Sequence, residues 1–165
     1  MKSLLLIEFD DEKVADVVER EVASRFGLHT RLIRIAMPRV RMRGWQVNGE
    51  DVLSEVARLR EKHEVDYAIG FVKDDMFVPN MNFIFGLATK EGRSAVVSSN
   101  RLKSSHPGLY RDRLTKEVMH ELGHVFGLGH CDDVLCVMHF SNSLQDTDTK
   151  SSKLCSKCGP RMVPP

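Results

Sequence analysis

Short apolar runs alternate with amphipathic segments along most of the chain. Each run is compact and rich in branched or aromatic residues, which is typical of a buried strand. Strands are predicted at residues 3–9, 29–37, 66–72, 82–88 and 94–99. Residues 90–93 (KEGR) form a predicted turn between the last two, so at least one of these strands is expected to run antiparallel at a sheet edge.

Apolar residues recur at helical spacing in three segments between or after these runs. A first helix is predicted after Asp10 and Asp11, which are good capping residues, and Gly27 is expected to close it. Two further helices are predicted at residues 50–64 and 111–127. This order of strands and helices indicates a fold of the α/β (α+β) class.

Composition and charge are ordinary for a soluble globular protein. The chain has 42% hydrophobic and 28% charged residues, and its 24 basic and 23 acidic side chains leave a net charge near +1. Neither a nucleic-acid nor a membrane partner is expected. Five arginines between residues 31 and 43 could form a basic patch for an acidic substrate, but a solvated strand face is the favoured interpretation.

The amino-terminal apolar run stops at Glu8, which makes it too short for a secretory or transmembrane segment. A cytoplasmic protein is therefore expected, and its thiols are more often metal ligands than disulfide partners. A chain of 165 residues can bury a core large enough to stand without disulfides, and we expect a monomer.

The strongest chemical signal is the sequence HELGHVFGLGH at residues 120–130, at the end of the third helix. His120 and His124 are four residues apart and share a helix face, so both imidazoles can aim at one zinc ion. Gly127 can take the left-handed conformation that ends the helix and returns His130 to the same metal. Three histidines leave one zinc position open for water, which is typical of a catalytic site.

Glu121 is the candidate general base beside the first ligand. Its carboxylate can take a proton from the zinc-activated water and pass it to the leaving amine of a peptide. An isolated HExxH also occurs on ordinary amphipathic helices, but the five fixed positions of the extended motif are far more specific. Gly123 costs about 1 kcal/mol inside a helix, and either close packing behind the metal or simple tolerance accounts for it.

Four cysteines lie in the last part of the chain, which has too little apolar material to fold alone. Four residues separate Cys131 from Cys136, and two separate Cys155 from Cys158. This spacing favours a structural zinc site with four thiolates over two disulfides. Such a site would supply folding free energy to the segment. Two zinc ions per chain are therefore expected, one catalytic and one structural.

These motifs resemble those of the metzincins, which carry HExxHxxGxxH followed by a methionine in a tight turn beneath the zinc. Here Met138 follows His130. The further pattern of a cysteine directly after the third histidine, then C-x-M and a distal C-x-x-C, is similar to that of the archaemetzincin family. In this chain the pattern covers residues 120–158.

The resemblance implies a twisted mixed sheet with one antiparallel edge strand, backing helices and an active-site helix. Residues 1–130 would form the catalytic subdomain, and residues 131–165 a short irregular subdomain with the methionine turn and the four-cysteine zinc site. The edge strand would hold an extended peptide or protein substrate through its backbone, although plain strand packing is the alternative. It is expected to use Asn82, Phe83, Ile84, Phe85 and Gly86.

Some metzincins have a tyrosine two residues after the turn methionine, but here Phe140 occupies that place and offers no hydroxyl. The resemblance therefore implies a zinc metallopeptidase, with aminopeptidase and endopeptidase action both open. A weak or inactive peptide-binding module of the same fold is the rival. A protein with two purely structural zinc ions is disfavoured, because one position on the metal stays open.

Overall fold

The computed structural model describes residues 1–10 and 13–162. Its helices are α1 (Ala15–Phe26), α2 (Gly49–Lys62), α3 (Pro107–Val125) and α4 (Leu144–Thr149). Its strands are β1 (Ser3–Phe9), β2 (His29–Ile35), β3 (Met42–Arg43), β4 (Gln46–Asn48), β5 (Tyr67–Val72), β6 (Met76–Phe77), β7 (Gly86–Thr89) and β8 (Ser94–Ser98). No helix in the described ranges is long and apolar enough to cross a membrane.

The main sheet has five strands in the order β2-β1-β5-β8-β7. The first four strands are parallel, and β7 pairs antiparallel with β8 at the edge. The predicted mixed sheet with an antiparallel edge strand is therefore confirmed. A smaller sheet of β3, β4 and β6 was not predicted, because its strands have only two or three residues each.

Side chains of β1 alternate between two apolar layers, as strand geometry requires. Leu4 and Leu6 pack with α1 and α3 on one face, whereas Leu5 and Ile7 pack with α2 on the other. Because both faces are covered, β1 is an almost continuous apolar run in the sequence. The helix α3, which carries the first part of the sequence HELGHVFGLGH near its end, therefore packs on the same face of the sheet as α1.

The start of α1 differs from the prediction. Asp10 does not cap the helix: it has a φ of 62°, and its carboxylate accepts a hydrogen bond from the Met37 amide at 3.0 Å. The Ala15 amide instead donates to the buried carboxylate of Glu8 at 2.7 Å. Asp11, the other predicted cap, lies outside the described residues. At the far end Gly27 has a φ of 62° and closes the helix as predicted.

The edge strand is shorter than the predicted run of residues 82–88. It begins only at Gly86, so the prediction that Asn82 to Phe85 belong to the strand is wrong. Asn82 instead lies in a loop, where its carbonyl accepts hydrogen bonds from Arg43 and Gln46, both at 2.8 Å. Ile84 makes only an isolated bridge to Met76. These contacts attach residues 82–84 to the small sheet, and β7 therefore begins only after them, at Gly86.

Residues 131–162 pack onto α3. Cys136, Val137 and Met138 are buried in the same apolar cluster as Val118 and Leu122. The short helix α4 was not predicted, although Ser143 and Asp146 form a capping box at its start. The last three residues of the predicted subdomain 131–165 lie outside the described part of the chain.

The arginines between residues 31 and 43 are mostly engaged with neighbouring groups. Arg34 donates to Glu8 at 2.8 Å, and Arg41 pairs with Asp51 at 2.8 Å. Arg43 also stacks over the Phe77 ring at 4.2 Å. These arginines join structural elements to one another, which agrees with the solvated-face interpretation of this segment.

Candidate metal centre

Three histidines converge at the carboxyl end of α3. His120 and His124 lie one turn apart on the helix, and their Nε2 atoms are 3.1 Å apart. The ring of His130 lies 5.4 Å from that of His120 and 4.9 Å from that of His124, measured between centroids. One ligand nitrogen from each histidine falls within 4.8 Å of the other two, so a single ion can contact all three.

Hydrogen bonds to backbone carbonyls fix the tautomers of the two helical histidines. Nδ1 of His120 bonds to the Val137 carbonyl at 2.8 Å, and Nδ1 of His124 bonds to the Leu128 carbonyl at 2.8 Å. A carbonyl can only accept, so each Nδ1 carries the proton and each Nε2 presents a lone pair. Burial lowers the pKa of His120 to about 2 and lowers that of His124, which keeps both rings neutral in the metal-free chain.

The turn that brings His130 back depends on Gly127. Its φ is 94°, a conformation that side chains with a Cβ rarely adopt. The Gly127 amide donates to the His124 carbonyl at 3.0 Å, and the Leu128 amide donates to the Gly123 carbonyl at 2.9 Å. The predicted left-handed stop after the helix is present.

Met138 is fully buried, and its side chain packs against Gly123 of α3. A Cβ on Gly123 would lie 2.3 Å from its sulfur, so close packing accounts for a glycine in the last turn of α3. The carbonyl of Met138 accepts the Cys131 amide at 3.0 Å. The methionine turn is thereby bonded to the segment that follows the third histidine.

Glu121 points into the same cavity from the next position on α3. Its carboxylate is buried, and burial raises its pKa, with the charge of Glu117 as a second cause. A Cβ on Gly86 would lie 2.4 Å from Oε1 of Glu121, so this carboxylate rests against the backbone of the edge strand. A buried carboxylate of raised pKa is suited to accept a proton.

The cavity in front of the histidines has a volume of about 310 Å³. Its polar walls come from the three histidines, Glu117, Glu121 and Ser141. The remaining walls are the apolar or small residues Val78, Met81, Phe83, Ile84, Phe85, Gly86, Leu87, Ala88 and Phe140. Four of the five residues expected to bind substrate therefore line it, and Asn82 does not.

The four cysteines form a second cluster. One sulfur from each lies within 4.8 Å of the others, and all four are free thiols. The Cys155 amide donates to the Cys136 sulfur at 3.4 Å. The Cys158 amide lowers the pKa of the Cys155 thiol to about 7. Four sulfurs at this spacing match the tetrahedral ligand set of a closed zinc site.

Comparison with known proteins assigns the chain to a family. Residues 11–163 match the sequence model of peptidase family M54. The chain belongs to peptidase family M54. Its sequence is 50% identical over 97 residues to an archaemetzincin of Methanopyrus kandleri, a region that covers 59% of this chain and 55% of that relative. The aligned region thus spans about half the length of this relative, and also about half the length of a similar archaemetzincin of Thermococcus kodakarensis.

Solved structures extend the similarity within family M54 to nearly the whole fold. The crystal structure of the M. kandleri archaemetzincin has a TM-score of 0.86 at 37% identity and covers 95% of this chain and 91% of that one. The archaemetzincin of Archaeoglobus fulgidus, complexed with malonate, has a TM-score of 0.87 at 30% identity and covers 98% of this chain and 100% of that one.

Two polar residues that line the cavity of this M54 protein, Glu117 and Ser141, were not predicted. Glu117 shares the helix face of His120, Glu121 and His124, a spacing that could have identified it. Its carboxylate pairs with the Lys150 ammonium at 3.1 Å and accepts the Thr147 hydroxyl at 2.9 Å. Ser141 carried no recognisable sequence signal, because only tertiary packing brings it to the cavity.

Proposed function

We propose that this chain is a zinc metallopeptidase with Glu121 as general base. The observation that carries the proposal is the meeting of three histidine nitrogens and one buried carboxylate in a cavity walled by an edge strand. The histidines supply three ligands and leave a position open. Zinc bound there would lower the pKa of water and polarise a peptide carbonyl.

The residues of the chain perform the remaining tasks. Glu121 accepts a proton as water attacks the peptide carbon and returns it to the leaving amine. The desolvation that raises its pKa favours the first transfer, because a carboxylate of higher pKa is the stronger base towards the attacking water. Contact with Gly86 holds the carboxylate between α3 and β7.

Strand β7 is suited to hold the substrate chain. It is the last strand of the sheet order, and its residues Gly86 and Leu87 line the cavity. An extended peptide can add to such an edge through backbone hydrogen bonds, while its side chains enter the apolar walls. The substrates of this proposal are therefore peptides or unfolded protein segments.

A second zinc ion is proposed at the thiol cluster, with Cys131, Cys136, Cys155 and Cys158 as ligands. This set is closed, because four thiolates complete a tetrahedron. Its role would be structural, because the four cysteines that would hold it join residues 131–158 to one another and so support the turn that carries Met138. Metal analysis of the intact protein should give two zinc ions per chain, and only the histidine-bound one should leave under mild chelation.

The experiment that tests the function is a peptide-library digestion with wild type, Glu121→Ala and the exposed control Glu61→Ala. We expect Glu121→Ala to retain both zinc ions and lose at least about 100-fold in kcat, with Glu61→Ala unchanged. Cleavage positions would separate aminopeptidase from endopeptidase action. Peptide binding without cleavage by wild type would instead support the rival binding module, and equal cleavage by wild type and Glu121→Ala would refute the assignment.

A further inference from the structure

Among the residues that the structure describes, Ser141 carries the one hydroxyl group that lines the cavity in front of the histidines. Its side chain is nine-tenths buried, and its Oγ has no hydrogen-bond partner within the structure. A buried hydroxyl without a partner is destabilising, and native proteins rarely keep one without a use. The position of this group beside the histidines and Glu121 indicates that a ligand supplies the missing partner.

The backbone on both sides of Ser141 is anchored. Before it, Nδ1 of His139 bonds to the Cys131 carbonyl at 2.8 Å, and the His139 carbonyl accepts the Lys150 ammonium at 3.3 Å. After it, the Asn142 amide donates to Asp146 at 2.9 Å. The backbone that carries the hydroxyl is thus held in place before any ligand arrives, which reduces the entropic cost of bonding a ligand.

The other polar groups of the cavity already have tasks. The Glu117 carboxylate is engaged by Lys150 and Thr147, and the histidines face the metal position. Most of the remaining wall is apolar, including Phe140, whose ring lies 5.1 Å from that of His130. For a peptide group that entered this region, the Ser141 hydroxyl would be the available hydrogen-bonding side chain among the described residues of the wall.

We propose that the Ser141 hydroxyl hydrogen-bonds a backbone peptide group of the bound substrate and so positions the chain at the metal. This rests on the peptidase function proposed above. The hydroxyl can donate to a carbonyl or accept from an amide, and either bond is independent of substrate side chains. Ser141 would therefore bind peptides of many different sequences, whereas the apolar wall would select among substrate side chains.

The test uses the zinc-loaded full chain as wild type, Ser141→Ala and Ser54→Ala. Ser54 is a matched control, because its hydroxyl lies on the exposed face of α2 and donates to the Glu50 carbonyl at 2.9 Å. The probes are acetohydroxamic acid, which contacts the metal alone, and two tripeptide hydroxamates whose residues extend to opposite sides of the metal. Calorimetry gives each Kd, and thermal unfolding gives Tm.

We expect Ser141→Ala to weaken at least one tripeptide hydroxamate roughly 3- to 10-fold, to leave acetohydroxamic acid unchanged, and not to lower Tm. A serine with a structural role would instead lower Tm on replacement, and that result overturns the proposal. Unchanged affinity for both tripeptide hydroxamates overturns it as well. If wild type binds acetohydroxamic acid but neither tripeptide compound, the peptidase function itself fails, and this proposal fails with it.

Discussion

Gly86 and Glu121 touch at the wall of the cavity in front of the histidines: a Cβ on Gly86 would lie 2.4 Å from Oε1 of Glu121 and 2.7 Å from its Cδ. Real Cβ atoms are not found so close to other heavy atoms. The absence of a side chain at the first residue of the edge strand therefore makes the space that the carboxylate occupies. The strand that would bind substrate therefore lies in direct contact with the carboxylate that would act as general base.

Gly86→Ala should displace the Glu121 carboxylate while leaving the histidines untouched. Because misplacement of a reacting group by about 1 Å can cost on the order of 100-fold, we expect kcat to fall roughly 10- to 100-fold with zinc content unchanged. Steady-state kinetics and metal analysis check both parts. Gly108→Ala is the matched control, since nothing lies within 4 Å of a Cβ there. Wild-type turnover by Gly86→Ala would contradict the proposed role of this contact.

Gly123→Ala should destabilise the fold although alanine is the better helix former. The new Cβ would lie 2.3 Å from the sulfur of Met138. Overpacking of this kind costs about 1 to 3 kcal/mol, against a gain of about 1 kcal/mol in helix propensity. We expect urea denaturation to show a net loss of about 1 kcal/mol, reduced when Met138→Ala is combined with it. A variant more stable than wild type would show that Met138 moves away freely.

Lys150→Met should be strongly destabilising, because it leaves the Glu117 carboxylate buried without its partner. Lys150 and Glu117 have side chains that are 0% and 3% exposed. Removing one partner of a buried pair costs about 3 to 5 kcal/mol. The double variant with Glu117→Leu should recover much of that loss. Arg58→Ala breaks an exposed pair with Glu55 and should cost less than about 1 kcal/mol on the same urea assay.

Asp66 should make stability depend on pH in the acid range. The Ser3 amide, followed by the Ser3 hydroxyl and Lys2, lowers the pKa of this carboxyl to about 2. A lowered pKa stabilises the folded state above the unfolded value near 3.9, and that contribution disappears as the pH falls toward 2. Its side chain is 29% exposed, so solvent limits the effect to about 1 kcal/mol.

Thermal unfolding of wild type and Asp66→Asn across pH 2 to 7 measures this contribution. The two proteins should differ at neutral pH and converge as the pH approaches 2. A difference in Tm that stayed constant over the range would mean that the pKa of Asp66 is the same in the folded and unfolded states.

The meeting of the three histidines could be predicted because its geometry is local. His120 and His124 share a face through helix periodicity, and Gly127 marks the end of the helix through its conformational freedom. The strands of the sheet were visible for a similar reason, since a run such as β1 is apolar on both faces. In each case, residues close in sequence carry the physical cause.

The parts that escaped prediction depend on contacts between distant segments. Lys150 meets Glu117 only after the end of the chain folds back on α3, and Ser141 reaches the cavity in the same way. The start of β7 at Gly86 was missed because Arg43 and Gln46 hold Asn82 in a loop. The cap supplied by Glu8 to α1 likewise crosses from a strand to a helix.

One segment serves both ligand clusters. Cys131 follows His130 directly, and Cys136 precedes Val137, whose carbonyl orients His120. The Cys131 amide also bonds the Met138 carbonyl at 3.0 Å. Binding of zinc at the thiol cluster would consequently be linked thermodynamically to the geometry of the histidine cluster. A zinc affinity measured at the histidines has a defined meaning only when the occupancy of the thiols is known, and chelator titrations should be analysed with a coupled two-site isotherm.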